Sequence, residues 1–247
     1  MRDARKAQGF VFGATRAEVP AEPEVYVLVI GESSRAMNWG LYGYGRNTNP
    51  RLGAERNLTV FRDVVTQAAV TRISVPLILT RGSIEDEQRT ARERSIVSVF
   101  REAGFQTCWI STQQRDPFTG AINRYPREAE VTRFYERRLD GQVVDTVREM
   151  LAQNKQGKMF FVIHTLGSHF DPVSRYPRSF DLFPDDDSRL GVQQRTINAY
   201  DNIIAYTDHV LAELIEVARG RPGLKAMLYV SAAMRRGRAI PGSCFTA

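Results

Sequence analysis

Cysteine and histidine are scarce in this sequence: its 247 residues include two cysteines and three histidines. Cys108 and Cys244 are too few for a disulfide framework, and they match no spacing of metal-ligating cysteines. No run of about 18 apolar residues occurs, so no membrane-spanning helix is predicted. The first twenty residues are charged and lack the apolar centre of a signal peptide, so none is expected.

The composition is that of a globular protein with a small basic excess. Hydrophobic residues make up 43% and charged residues 25% of the chain, which argues against disorder and fibrous structure. The length suits one large α/β domain or two small ones. Lys and Arg exceed Asp and Glu by 34 to 28, giving +6 and a mild preference for anionic partners. The basic residues are scattered without a surface aromatic patch, so nucleic-acid binding is not predicted.

Four apolar runs rich in β-branched and aromatic residues predict strands, and they alternate with amphipathic patterns. The runs are Val25–Ile30, Thr107–Ser111, Met159–His164 and Ala226–Ser231. Unbroken runs of this kind are typical of parallel strands buried on both faces. Helices are predicted over Glu93–Ala103, Val143–Leu151 and about Gln193–Ala218. We therefore expect an α/β fold, a three-layer α/β/α sandwich around a mostly parallel sheet.

The carboxyl ends of two predicted strands carry side chains that bind metals or move protons. Ligands of parallel sheets bind at these ends. The first strand runs into Glu32, and the third ends at His164 and continues to His169, whereas Ala232 and Ala233 follow the last strand. The two histidines fit a ligand-binding pair. They fit equally a strand-end histidine bonded to the backbone and a solvated loop histidine.

Glu32 follows six apolar residues directly. A carboxylate buried at that depth is costly unless it is paired or bound to a cation, which favours a metal ligand. The alternative is an acidic residue in the first turn of a following helix, capped by Ser33 or Ser34. The two serines do not fit the pattern G-x-S-x-G, so neither is predicted to be a hydrolase nucleophile.

The segment Ala68–Thr80 predicts a short loop that enters an apolar helix, with Pro76 in the first turn. A hydroxyl at Thr71, just before that helix, would lie among unpaired N–H groups in a positive dipole field. Such a position suits a nucleophile that must bind a phosphate. The alternative is that Thr71 only caps the helix.

Taken together, six segments resemble the catalytic domain of the phosphoethanolamine transferases, which belong to the sulfatase and alkaline-phosphatase superfamily. In family order they are Val27–Leu52, Ala69–Pro76, Gly104–Gln114, His164–Pro177, Asn198–Ile215 and Met227–Ser231. The segments WISTQQ and HTLGSHF are most similar to the branch that acts on the lipopolysaccharide core. The resemblance implies an alkaline-phosphatase/sulfatase-like fold.

The resemblance also implies roles for particular residues. The family binds a zinc ion through a Glu, the nucleophilic Thr and a downstream Asp-His pair. By matching motif, Glu32 is the first zinc ligand, and Thr71 is both nucleophile and ligand. His169 corresponds to the histidine on the phosphate side and His164 to the one before it, while Gln113 matches an amide near the substrate. Bound zinc lowers the pKa of a coordinated oxygen by several units, which would activate a threonine.

The implied reaction moves phosphoethanolamine from phosphatidylethanolamine to lipopolysaccharide through a threonine-linked intermediate. The implied partners are therefore the lipid donor, the lipopolysaccharide acceptor and a membrane surface. The implied location is the periplasmic face of the bacterial inner membrane.

The resemblance fails after the last strand. The family reads Ser-Asp-His-Gly-Glu there, whereas this sequence reads Ser231, Ala232, Ala233. Because alanine offers no lone pair, we expect an incomplete zinc site that retains only Glu32 and Thr71 of the four ligands.

The resemblance divides the chain into a linker-like lead-in over 1–24, a catalytic domain over 25–231 and an atypical basic tail over 232–247. The family begins with transmembrane helices that this sequence lacks, and Met1 falls within the corresponding linker. The tail has three arginines and no acid, and it resembles nothing in the family. We interpret it as out-of-frame coding or a degenerate end.

Two alternative functions stay open. One is a catalytically inactive remnant that keeps the fold without the Asp-His ligands. The other is a different sulfatase-like phosphodiesterase or hydrolase, because Thr or Ser nucleophiles and Glu ligands recur across the superfamily.

Overall fold

A five-stranded parallel sheet forms the centre of the molecule. The computed structural model describes residue 7 and residues 9–18, 22–114, 122–154, 157–220 and 223–231. The strands are β1 (Glu24–Gly31), β2 (Gln106–Ser111), β3 (Val131–Phe134), β4 (Lys158–His164) and β5 (Leu224–Ser231). Their order is β3-β2-β4-β1-β5, and every pairing is parallel. All carboxyl ends therefore lie at one edge, with β1 between β4 and β5.

Helices cover both faces of this sheet. They are α1 (Thr71–Leu79), α2 (Gln88–Arg92), α3 (Ile96–Glu102), α4 (Gln142–Gln153) and α5 (Val192–Arg219). On one face α4 and α5 bury their apolar stripes against β1, β2 and β4. On the other face α1 and α3 pack around Trp109 and Phe160. Two apolar layers on opposite faces confirm the predicted three-layer α/β/α sandwich. Within the described residues, no helix is long and apolar enough to cross a membrane.

The strand predictions are confirmed with one omission and one correction. The sequence analysis does not include β3, because four residues carry too little alternation to be recognised. The prediction that β5 is buried on both faces is wrong within the described part of the chain. There β5 is the outer strand, so Ala226 is exposed and Leu228 is 45% exposed.

The helices predicted over Val143–Leu151 and about Gln193–Ala218 are confirmed, whereas the helix expected from Glu93 begins later, at Ile96. Ser95 takes the N-cap position, where its hydroxyl accepts the N–H of Val97 at 3.2 Å. Glu93 instead pairs with an arginine, Arg89, at 2.9 Å and with a second arginine from the preceding loop. A good capping residue therefore fixes the start of α3.

The connection over residues 56–69, which leads into α1, is exposed along most of its length. Among the described residues, it makes no hydrogen bond between main-chain groups. Two hydrogen bonds link it to the body of the protein: the Tyr42 hydroxyl donates to the carbonyl oxygen of Phe61 at 3.0 Å, and the Arg62 guanidinium donates to the carbonyl oxygen of Leu41 at 3.4 Å. The side chains of Phe61, Val64 and Val65 are exposed.

Candidate functional site

Glu32 and Thr71 meet at the carboxyl end of β1. The Thr71 hydroxyl donates to Oε2 of Glu32 at 2.6 Å, and the Ser33 hydroxyl donates to Oε1 at 2.7 Å. Glu32 is only 3% exposed, while Thr71 is half-buried. Thirty-nine residues separate the two partners, and the fold brings them together because β1 and α1 both reach this edge. The sequence analysis placed both residues at the site, and the structure places them in direct contact.

Thr71 does not cap α1. The N-cap is Val70, whose extended backbone lets its carbonyl oxygen accept the N–H groups of Ile73 and Ser74, each at 3.0 Å. Thr71 is therefore the first helical residue. Because the helix starts there, Pro76 lies in the second turn and not in the first, as the sequence analysis expected. The Thr71 hydroxyl is free to face Glu32 instead of the helix terminus.

The main chain just after Glu32 is fixed by a tyrosine of α5. The Tyr200 hydroxyl donates to the carbonyl oxygen of Ser33 at 2.7 Å and accepts the N–H of Arg35 at 2.8 Å. Burial raises the pKa of Tyr200 to about 12, so its hydroxyl stays protonated near neutral pH. Ser33 has a positive φ of 52°, an uncommon conformation for a residue with a side chain. The turn that presents Glu32 is thus held in a strained shape.

His164 is a buried neutral histidine at the end of β4. Its Nε2 atom has no hydrogen-bond partner among the described residues, and its ring meets Trp109 edge to face at 6.1 Å. Burial lowers the pKa of His164 to about 4. Its carbonyl oxygen accepts the N–H of Thr112 at 3.1 Å and the hydroxyl of Ser111 at 3.0 Å.

The segment after β4, Thr165–Ser168, lies directly against Glu32; we call it the β4 loop. The N–H of Ser168 donates to the carbonyl oxygen of Glu32 at 2.9 Å. Gly167 has a φ of +51°, and a Cβ there would lie 2.8 Å from that same oxygen. Only glycine allows so close an approach. His169 follows this loop and is half-buried.

Gln113 supports the β4 loop from the neighbouring strand. Its Nε2 donates to the carbonyl oxygen of Thr165 at 2.8 Å, and its own N–H donates to the Ser111 hydroxyl at 3.1 Å. The family resemblance implies that Gln113 is an amide near the substrate. In the structure the amide contacts the backbone of the loop that precedes His169.

Asp140, just before α4, is a residue of this region that the sequence analysis missed. Its carboxylate accepts the N–H of Leu166 at 3.0 Å, the N–H of Gly167 at 2.9 Å and the hydroxyl of Thr112 at 2.5 Å. Burial raises the pKa of Asp140. The residue is 26 to 28 positions from its partners, so local sequence gives no signal beyond an acid near a helix start.

Two buried aspartates attach the segment between β1 and α1 to α5. Asp201, which is fully buried, accepts the Tyr44 hydroxyl and the Arg46 guanidinium, each at 2.8 Å. Asp208 accepts the main-chain N–H groups of residues 51 and 52, each at 3.0 Å. The path from Glu32 toward Thr71 is therefore anchored to the longest helix.

The described residues do not form a complete zinc site. Glu32 and Thr71 offer two oxygen atoms, whereas catalytic zinc has three protein ligands and structural zinc has four. In the described part of the chain, the one group of three or more His, Cys, Asp or Glu side chains close enough to share an ion is Asp181, Asp185 and Asp186. Arg178 lies within 4 Å of all three carboxylates, which neutralises part of their charge. The expected substitutions Ala232 and Ala233 lie outside the described residues.

A parallel sheet within a three-layer α/β/α sandwich, with a buried carboxylate and a threonine hydroxyl at its carboxyl edge, is the arrangement expected of the alkaline-phosphatase and sulfatase class. In agreement, residues 24–231 match the Sulfatase family. The Kdo(2)-lipid A phosphoethanolamine 7''-transferase of Escherichia coli K12 is 34% identical over 219 residues, 83% of this chain and 38% of that enzyme. Phosphoethanolamine transferase EptC of the same strain is 31% identical over 213 residues, 79% of this chain and 37% of EptC.

A solved structure supports the same assignment. The periplasmic domain of E. coli EptC, in a complex with zinc, superposes with a TM-score of 0.79 at 28% identity. The match covers 88% of this chain and 65% of that domain. The chain belongs to the Sulfatase family, and the relatives described above are phosphoethanolamine transferases. It spans less than two fifths of the length of the two curated relatives.

Proposed function

We propose that this chain is the catalytic domain of a phosphoethanolamine transferase in which Thr71 is the nucleophile. The observation that carries the proposal is the 2.6 Å hydrogen bond from the Thr71 hydroxyl to Glu32 Oε2. A nucleophile and its proton acceptor must lie within hydrogen-bond reach, about 2.6–3.2 Å between heavy atoms. A buried carboxylate gives the hydroxyl proton a destination from which water is largely excluded.

The proposed first step transfers phosphoethanolamine from a phosphodiester to Thr71. The threonine oxygen attacks phosphorus, a new P–O bond forms, and the hydroxyl proton passes to the carboxylate of Glu32. The bond from phosphorus to the oxygen of the donor alcohol breaks. That oxygen takes up a proton, and we propose that the half-buried His169 supplies it, because the resemblance matches His169 to the histidine on the phosphate side. A second step reverses this order with the acceptor hydroxyl or phosphate as nucleophile.

We further propose phosphatidylethanolamine as donor and lipopolysaccharide as acceptor. The acceptor is in line with the lipid A substrate of the matched E. coli transferase. The periplasmic face of the inner membrane is the corresponding location, since the matched EptC domain is periplasmic. The division into lead-in, catalytic domain and tail at residues 24 and 231 stays a proposal.

Zinc supports this chemistry in the family, and a related domain was solved with it. In this chain we propose that Ala232 and Ala233 occupy the positions of the remaining two ligands, so that the zinc site is incomplete. A catalytically inactive remnant is therefore the competing interpretation.

The test compares three forms of the chain: unmodified, with Ala232→Asp and Ala233→His together, and with Thr71→Val. Each is incubated with zinc and phosphatidylethanolamine in detergent, and intact mass and peptide mapping report phosphoethanolamine on Thr71. An adduct in the unmodified chain supports an active transferase. An adduct only in the doubly substituted chain supports the remnant, with its nucleophile intact. An adduct in neither, or one that persists in Thr71→Val, contradicts the proposal.

A further inference from the structure

The β4 loop is bound on two opposite sides. On one side the N–H of Ser168 donates to the carbonyl oxygen of Glu32 at 2.9 Å, and the N–H of Thr165 donates to the carbonyl oxygen of Ile30 at 3.0 Å. On the other side the N–H groups of residues 166 and 167 both point at the carboxylate of Asp140. The β4 loop therefore lies between Asp140 and the main chain of Glu32.

Asp140 is buried beneath the β4 loop, and it forms no ion pair among the described residues. It is 8% exposed, and its carboxylate accepts hydrogen bonds from the two loop N–H groups and the Thr112 hydroxyl. Burying a carboxylate costs free energy that hydrogen bonds must offset, and hydrogen bonds to a charged acceptor are about twice as strong as neutral ones. Breaking these hydrogen bonds would therefore leave a buried carboxylate without partners, which opposes any movement of the loop away from Asp140.

The loop geometry shows why that place matters. At Gly167 the backbone approaches Glu32 so closely that a Cβ would lie 2.8 Å from its carbonyl oxygen and 2.9 Å from its nitrogen. A shift of the loop away from Asp140 would thus move or release the main chain of Glu32. The 2.6 Å contact from Thr71 to Glu32 depends on that main chain.

We propose that Asp140 is a positioning residue of this site, whose carboxylate holds the β4 loop against Glu32 and so fixes Glu32 relative to Thr71. Asp140 touches neither the nucleophile nor its proton acceptor, and it acts through residues 166 to 168. The structural part of the proposal stands on these contacts alone. Its consequence for catalysis rests on the proposed function of Thr71.

The first test is amide hydrogen exchange in Asp140→Asn. An asparagine keeps one acceptor oxygen but turns an NH₂ group toward one of the two loop N–H groups. The reporter is the N–H of Ser168, which bonds Glu32 and not Asp140. We expect its exchange to speed up by about tenfold or more, the effect of one lost buried hydrogen bond. The parent chain and the variant are compared by NMR under the same conditions.

The matched control is Asp208→Asn. Asp208 is also a buried aspartate that accepts two successive main-chain N–H groups, at 3.0 Å each, but these belong to residues 51 and 52. This control loses a similar clamp elsewhere and reports any general loosening of the fold. Equal acceleration at Ser168 in both variants, or none in Asp140→Asn, overturns the proposal.

The second test measures the rate of phosphoethanolamine attachment to Thr71 in whichever form of the chain forms the adduct. Asp140→Asn should lower the rate at saturating donor by about tenfold or more, with little change in the donor concentration for half-maximal rate, because a misplaced proton acceptor affects the chemical step. Asp208→Asn, which releases residues 51 and 52 but leaves the contacts of the β4 loop in place, should lower the rate less than Asp140→Asn does. A parent rate in Asp140→Asn overturns the catalytic consequence. If no form makes the adduct, the proposed function fails, and hydrogen exchange still decides the role of Asp140.

Discussion

At the level of single residues, the site depends on a carboxylate contacted only by hydroxyl donors among the described residues. Ser33 and Thr71 each bond one oxygen of Glu32. Two neutral donors satisfy part of the hydrogen-bonding capacity of an ionised carboxylate, which has about four lone-pair sites. The remaining capacity is what a cation or the transferred proton would use.

Replacing Glu32 with Gln tests this residue directly. The amide keeps the size of the side chain but cannot take up the proton of Thr71. We expect the rate of phosphoethanolamine attachment to Thr71 to fall by about 10²- to 10⁴-fold, the usual contribution of a general base. Quantitative mass spectrometry of the adduct over time provides the measurement. A variant that reacts as fast as its parent would show that another group accepts the proton.

At the level of structural elements, the β4 loop leaves no room for a side chain at Gly167. Gly167 combines a positive φ with a close approach to Glu32, whereas Gly43 has a φ of +94° and open space where a Cβ would lie. The two glycines therefore separate the cost of backbone strain from the cost of a steric contact.

Gly167→Ala and Gly43→Ala form the corresponding experiment. Both alanines adopt an unfavourable backbone conformation, which costs about 1 kcal/mol. Only the first also collides with backbone atoms, which adds about 1–3 kcal/mol. Urea denaturation should thus show a larger loss of unfolding free energy for Gly167→Ala. Equal losses would mean that the loop moves aside without resistance.

Elements defined by a local sequence pattern are predictable, whereas elements and roles that depend on residues far apart in the sequence are not. β1, β4 and α5 are long and carry strong apolar patterns, so their existence is predictable. The order of the motifs, compared with a known family, identifies Glu32 and Thr71 before any contact is seen. β3 has four residues and needs β2 beside it, and Asp140 acts on a loop 26 residues away. Both depend on contacts that form only in the folded chain, so no local sequence pattern predicts them.

For the whole molecule, the buried histidine couples stability to pH. The pKa of His164 falls from 6.5 to about 4 in the folded state because burial disfavours its charged form. As pH falls from 6.5 toward 4, the unfolded chain therefore binds a proton before the folded chain does. Unfolding becomes more favourable over this window, by up to about 3 kcal/mol from this residue. Asp140, whose pKa is raised, acts in the opposite direction as its carboxylate titrates.

The variant His164→Gln should remove this dependence. Its stability at pH 7 is expected to be lower than that of the parent, because an amide replaces a packed imidazole. The decisive quantity is the slope of unfolding free energy between pH 6.5 and 4, obtained from denaturation curves at several pH values. The parent should lose more stability across this window than the variant. Parallel slopes would mean that His164 is already charged in the folded protein or titrates normally.

The exposed connection over residues 56–69 has one more consequence, for the integrity of the polypeptide. It contains Arg56 and Arg62, both exposed, and it makes no main-chain hydrogen bonds within the described residues. A trypsin-like protease needs an extended, accessible segment of this kind. A single cleavage after Arg62 would leave Glu32 on one fragment and Thr71 on the other. β1 would lie on the first fragment, whereas its neighbours β4 and β5 would lie on the second. Non-covalent contacts alone, including the hydrogen bonds of the sheet, would then keep Glu32 near Thr71.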